Sequence, residues 1–160
     1  MDELTQKSDS LEPEILKLQV KMFEMLLLSV KNLVKDNDGA KLNLLQQKTL
    51  TPILVFLTNA MESLNEEPQY NEDIVISAID LLSNAVEMFP QSQEWIIKNV
   101  KIYEIVAKMM FYTQSLPIAG RTCLFLSHLM ANNKAAQLCF MTDEMAKSMV
   151  YLLNFNELMN

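Results

Sequence analysis

Residues 78–85 read AIDLLSNA. Alanine and leucine recur there at the spacing of one buried helical face, which predicts a core helix. Asn84 then occupies a position where a leucine would pack equally well. The meaning of that amide depends on whether the pattern occurs once or recurs along the chain.

The pattern recurs. Asn84 aligns with His128 at an offset of 44 residues, and the same offset places Leu82 on Leu126. In the other direction, Asn84 aligns with Asn32 at an offset of 52, with the extra residues placed in the loop around Pro68. A period near 44 residues with three helices per unit is typical of α-solenoid repeats.

The composition favours helices. The chain has 160 residues, half of them hydrophobic, with only 2 glycines and 5 prolines to form turns. Leu, Met, Glu, Lys, Gln and Ala lose little rotamer freedom in a helix. We therefore predict one all-α domain from residue 12 to 160, preceded by a flexible acidic tail over residues 1–11.

The apolar periodicity predicts nine helices, grouped in repeat units of about 12–63, 72–113 and 116–155. Their predicted bounds are 12–36, 40–47, 50–63, 72–88, 92–99, 101–113, 116–131, 133–140 and 143–155. Ser92, Ser115 and Thr142 are predicted to cap helix starts, because a side-chain hydroxyl can accept a hydrogen bond from an unpaired backbone N–H there.

The charge and the cysteines restrict the partners and the compartment. A formal net charge of -7 repels phosphate backbones and anionic headgroups, so nucleic acid and membranes are not expected partners. No apolar run reaches the roughly 18 residues of a membrane span. Cys123 and Cys139 lie in apolar helical runs, which predicts buried free thiols and a cytoplasmic or nuclear location.

Over residues 12–155 the pattern resembles the armadillo family. The family's third-helix pattern is matched by Ala78, Leu81, Leu82, Asn84 and Ala85, and in part by Thr122, Phe125, Leu126, His128 and Leu129. The glycine that usually separates the first two helices is replaced by Lys48, Val100 and Glu144. The resemblance implies a right-handed superhelix of about three repeats, with a HEAT-type or unclassified α-solenoid as alternatives.

The resemblance also implies a binding site. In armadillo proteins the third helices line a concave groove, where amides hydrogen-bond the main chain of an extended peptide. The residues expected there are Asn32, Asp80, Asn84, Glu87, Leu124 and His128. The expected partner is a protein segment, extended or helical, with basic residues favoured by the acidic chain. The alternative is that Asn84 is simply exposed, or holds adjacent repeats together.

A second hypothesis is self-association. The C-terminal segment is rich in methionine and lacks a following third helix to cover it, so either the chain is a piece of a longer solenoid or another molecule covers that end. A homodimer would use Met145, Met149, Leu152, Leu153 and Met159. No catalytic motif is present, so we expect no enzyme activity, no cofactor and no metal.

Overall fold

The computed structural model describes residues 2–63, 72–99, 101–111, 115–143, 145–147 and 150. Within these ranges the chain forms helices and turns with no strand, so the all-α prediction is confirmed. Eight helices span Asp2–Val34 (α1), Asp38–Gln46 (α2), Leu50–Ser63 (α3), Glu72–Val86 (α4), Pro90–Asn99 (α5), Ile102–Phe111 (α6), Leu116–Met130 (α7) and Lys134–Phe140 (α8).

The first helix is longer than the sequence pattern predicts. α1 begins at Asp2, so residues 2–11, expected to be a tail, are helical. Glu, Leu, Gln and Lys in this segment have high helix propensity, and acidic residues at Asp2 and Glu3 favour the positive end of the helix dipole. Amphipathic periodicity, on which the prediction relied, does not detect a helix without an apolar face.

The two offsets found in the sequence recur in the backbone. α1, α4 and α7 end at Val34, Val86 and Met130. Two residues later, Asp36, Met88 and Asn132 each adopt a positive φ, which ends a helix by turning the chain into the left-handed region. The next helices then begin at residues 38, 90 and 134. The repeat is therefore a property of the backbone as well as of the apolar pattern.

The helix starts confirm some predicted caps and correct others. Ser115 accepts a hydrogen bond from the N–H of Ile118 at 3.2 Å, and Thr142 accepts one from Met145 at 3.2 Å. Asn37 and Asn133, which were not predicted, cap α2 and α8 in the same way. Ser92 is not a cap, because α5 begins at Pro90 and leaves Ser92 buried within the helix.

The helices pack in three rows. α1, α4 and α7 lie side by side and make the largest interfaces; we call them the long row. α2, α5 and α8 form a second row, and α3 packs against α6. Ser115, at the start of α7, bonds Glu72 at the start of α4, so these two long-row helices run parallel. Each helix therefore contacts its equivalent in the neighbouring repeat.

One hydrophobic core runs through all three rows. It includes Leu27 of α1, Leu57 of α3, Leu82 of α4 and Phe125 of α7, each almost fully buried. The Phe23 and Phe56 rings pack edge to face at 5.0 Å. The ninth predicted helix is helical at residues 143, 145–147 and 150, and the rest of its predicted range lies outside the described residues.

Candidate binding face

The six predicted groove residues lie along the long row, and we call them the candidate binding face: Asn32, Asp80, Asn84, Glu87, Leu124 and His128. Asn32 and Leu124 are exposed, whereas the other four are half-buried. Each long-row helix contributes at least one of these residues, and Glu87 directly follows α4. The structure therefore brings them onto one row, with different degrees of access to solvent.

Asn84 has an intramolecular role. Its Nδ2 donates to the backbone carbonyl of Lys31 in α1 at 3.1 Å. That carbonyl, in the last turn of α1, also accepts the N–H of Lys35 at 3.3 Å. A leucine would leave this inter-helix bond unmade, so one reason for the amide is to join α4 to α1. One N–H and the carbonyl oxygen of an asparagine remain beyond this bond.

Asp80 lies between two cations on neighbouring helices. Its carboxylate is 3.4 Å from Nζ of Lys31 in α1 and 3.6 Å from a guanidinium nitrogen of Arg121 in α7. Asp80 and Lys31 are both mostly buried, so these contacts are less screened by solvent than an exposed pair. The acidic residue expected to favour basic partners is therefore already neutralised within the chain.

His128 joins α7 to α4. Its Nδ1 is 2.9 Å from Oγ of Ser83, and its Nε2 is 3.9 Å from a carboxylate oxygen of Glu87. Two of the six predicted residues thus contact one another across the helix interface. The imidazole is a structural link between neighbouring long-row helices, with part of its ring still open to solvent.

A buried glutamine that the sequence analysis did not single out connects the rows. Gln93 of α5 is 3% exposed, and its Nε2 lies 3.1 Å from the carbonyl oxygen of Val86 and 2.9 Å from that of His128. Its equivalent at an offset of 44, Gln137, donates to the carbonyl of Met130 at 3.0 Å. Aligning the two glutamines by the repeat offset would have revealed this position.

The first repeat has a lysine at the same position. Lys41 is buried, and its ammonium donates to the carbonyl of Glu87 at 2.6 Å, with Asp38 at 3.6 Å and the Phe89 ring centroid at 6.0 Å. These groups compensate the cost of removing a cation from water. Lys41, Gln93 and Gln137 therefore each serve the carbonyl end of a long-row helix.

Two clefts lie between helices of the described chain. One of about 450 Å³ opens beside α1 and α2, and its lining includes Val30, Leu33 and Leu44. The other, about 280 Å³, lies between α5 and α8. At its edge, the Lys98 ammonium hydrogen-bonds Glu94 and lowers the pKa of that carboxyl group. Neither cleft coincides with the candidate binding face.

Two predictions about apolar side chains need correction. Cys123 is exposed rather than buried, although partial desolvation raises the pKa of its thiol; both cysteines are free. Met145, predicted for an assembly face, is 2% exposed, because its side chain packs into the hydrophobic core. The side chains of Met149, Leu152, Leu153 and Met159 lie outside the described residues.

The described residues form neither a metal site nor a membrane-spanning helix. Among the described residues, no three or more His, Cys, Asp or Glu side chains are grouped to hold a metal ion. In the same part of the chain, no helix combines the length and apolar character needed to span a bilayer. No protein-family model, curated protein or solved structure matches this sequence.

Proposed function

We propose that the chain is a non-catalytic protein-interaction module that binds an extended or helical segment of a partner along the candidate binding face. The observation that carries the proposal is the regular placement of Asn32, Asn84 and His128, one on each helix of the long row. We propose that the rows form an armadillo-like solenoid with the long row on its concave side. Its right-handed sense stays a prediction.

The distance between neighbouring long-row helices is close to the length of about three residues of an extended peptide. Packed helices lie about 8–10 Å apart, and an extended chain rises about 3.3 Å per residue. Polar groups on successive helices therefore meet the partner about every third residue. Three helices would engage a segment of roughly six to eight residues, with donors and acceptors matched to unpaired peptide groups.

The charges on the face favour recognition of main chain over recognition of charge. Asp80 is compensated by Lys31 and Arg121, and Glu87 lies beside His128. The whole chain still carries a net charge of -7, which attracts basic partners over longer distances. We therefore propose that overall charge steers the partner and that hydrogen bonds hold it.

The two exposed residues of the candidate binding face allow partner binding to be tested without disturbing the packing of the helices. Asn32 and Leu124 can be replaced by alanine without removing a described inter-helix bond, whereas Asn84→Ala would also release α1 from α4. A peptide is first selected from a random-peptide phage library against the intact chain. We expect Asn32→Ala/Leu124→Ala to weaken its binding at least tenfold, measured by calorimetry.

The matched control is Gln91→Ala/Leu138→Ala, which removes an exposed amide and an exposed leucine from α5 and α8. The control should bind the selected peptide as the unaltered chain does, and both variants should keep the same melting temperature. Equal affinity in all three proteins would show that binding occurs elsewhere and would remove the candidate binding face. The two free cysteines support a reducing, cytoplasmic or nuclear setting for this function.

A further inference from the structure

α1 carries two apolar faces, and the described residues cover only one of them. Val20, Phe23 and Leu27 pack towards the core. The opposite face carries large apolar side chains that are exposed by between 47% (Ile15) and 71% (Met22). We call this set the outer stripe: Ile15, Leu18, Met22, Met25, Leu26 and Leu33.

Two positions of the outer stripe have buried equivalents on α4 and α7. At offsets of 52 and then 44 residues, Leu26 corresponds to Ala78 and Thr122, and Leu33 corresponds to Ala85 and Leu129. These four equivalents are all 0% exposed. Helices from earlier in the chain pack on α4 (α1 and α3) and on α7 (α6 and α4). The same position on α1 has no described helix over it, so a helix is the kind of element that fits there.

The cleft beside α1 and α2 extends this surface. It shares Leu33 with the outer stripe and is lined further by Val30, Ala40 and Leu44. Asn43 contributes a polar group to the same lining. The uncovered region is thus an apolar ridge with a concave edge, a shape that a helix and its flanking side chains can fill.

We propose that the outer stripe binds the outer stripe of a second copy of this chain, with the two α1 helices antiparallel about a two-fold axis. This interface runs along α1 to Leu33 and so reaches Asn32, one member of the candidate binding face, and it does not depend on the proposed function. Six side chains that each lose roughly 100 Å² of surface, together with the cleft edge, approach the ~800 Å² per partner of a standard interface.

The centre of the outer stripe is self-complementary. Ile15, Leu18, Met22, Met25 and Ser29 alternate steps of three and four residues, the spacing that brings two helices into side-by-side contact. A two-fold axis between Met22 and Met25 places Met22 of each copy against Met25 of the other, and Leu18 near Ser29, in an isologous interface. α1 is also the described helix with the longest run of exposed apolar side chains, so another α1 is the element best matched to cover it.

Sedimentation velocity at chain concentrations from about 1 to 100 µM tests whether two copies associate. The unaltered chain should dimerise, and Met22→Glu/Met25→Glu should weaken the dimer at least tenfold without changing the circular dichroism or melting behaviour of the monomer. Leu138→Glu/Met141→Glu, two exposed apolar positions at the other end, is the matched control and should still dimerise. A monomeric unaltered chain, or a dimer broken only by the control variant, would overturn the proposal.

Cross-linking then tests the antiparallel arrangement. In a background with Cys123→Ser and Cys139→Ser, one chain carries Leu18→Cys and another carries Ser29→Cys. Antiparallel α1 helices should give a disulfide only when the two chains are mixed, because residue 18 of one copy then lies near residue 29 of the other. Cross-linking of each variant with itself, and none in the mixture, would show parallel helices and contradict the proposed geometry.

Discussion

Lys41, Gln93 and Gln137 show how a single side chain can fix a repeat architecture. They occupy equivalent positions in α2, α5 and α8, and each donates to a carbonyl at the end of a long-row helix. The last carbonyls of a helix have no partner within the helix, so a donor from a neighbouring row satisfies them. Gln93 also reaches the carbonyls of His128 and Ala131, at 2.9 and 3.4 Å, and thereby joins α4 to α7.

We predict that Gln93→Ala destabilises the fold by about 2 kcal/mol, because it removes a buried amide that donates to the carbonyls of Val86 and His128. The matched control is Gln137→Ala, whose exposed amide makes one such bond and should cost about 1 kcal/mol or less. Urea unfolding of both variants, compared at equal m-value, measures the difference. Equal losses would mean that Gln93 has no role in joining the two repeats.

For individual residues, the sequence predicts the position on a helix better than it predicts the hydrogen-bond partner. Aligning Asn32, Asn84 and His128 correctly placed all three on one helical row. It did not indicate that Asn84 donates to a carbonyl 53 residues earlier, since that partner is defined only once α1 packs on α4. The exposure of Cys123 was missed for the same reason, because an apolar neighbourhood in sequence does not determine which face of the helix is covered.

The predicted bounds of α1 to α8 agree with the structure to within two residues, except at the start of α1. The turns after residues 34 and 130 place Asp36 and Asn132, which tolerate a positive φ, at the left-handed position, whereas the turn after residue 86 places Met88 there. Lys48, between α2 and α3, also adopts a positive φ. The start of α1 was missed because its first ten residues lack an apolar face.

α7 contains an interior glycine, which lowers the stability of the helix. Gly120 lies in the helix interior, and a Cβ placed there meets no heavy atom within 4 Å. Glycine in an exposed helix interior costs about 0.5–1 kcal/mol relative to alanine, so Gly120→Ala should stabilise the fold by that amount. Thermal unfolding measures the gain as a higher melting temperature.

The matched control for this prediction is Gly39→Ala, in the first turn of α2, where a Cβ would lie 3.5 Å from the capping oxygen of Asn37. The rise in melting temperature for Gly39→Ala should be smaller than for Gly120→Ala, since the hydrogen bond from Ala40 to Asn37 already fixes that turn. A lower melting temperature for Gly120→Ala would show that α7 needs a flexible residue at this point, which the packing does not indicate.

For the whole molecule, the repeat offsets predicted which helices are equivalent, and the structure packs equivalent helices side by side in rows. The sequence pattern could not determine the sense of any superhelical twist, because twist depends on small rotations between neighbouring helices that many side chains set together. In a row architecture, stability is the sum of contacts between neighbours. The central element should therefore be the most stable, and the helices at the edges the least.

Native-state hydrogen exchange tests this difference in stability between the central and the edge helices. α4 packs against both α1 and α7 and buries nine residues, from Ile74 to Val86, whereas α2 buries only Lys41. Because exchange requires local opening and opening exposes buried apolar surface, amides of α4 should exchange most slowly, those of α7 at an intermediate rate and those of α2 fastest. Rates that rise tenfold per pH unit would show that the chemical step limits exchange, so that each observed rate divided by its intrinsic rate gives the opening equilibrium. Protection of α2 equal to that of α4 would mean that the helices unfold as one unit, and that stability is not distributed along the row.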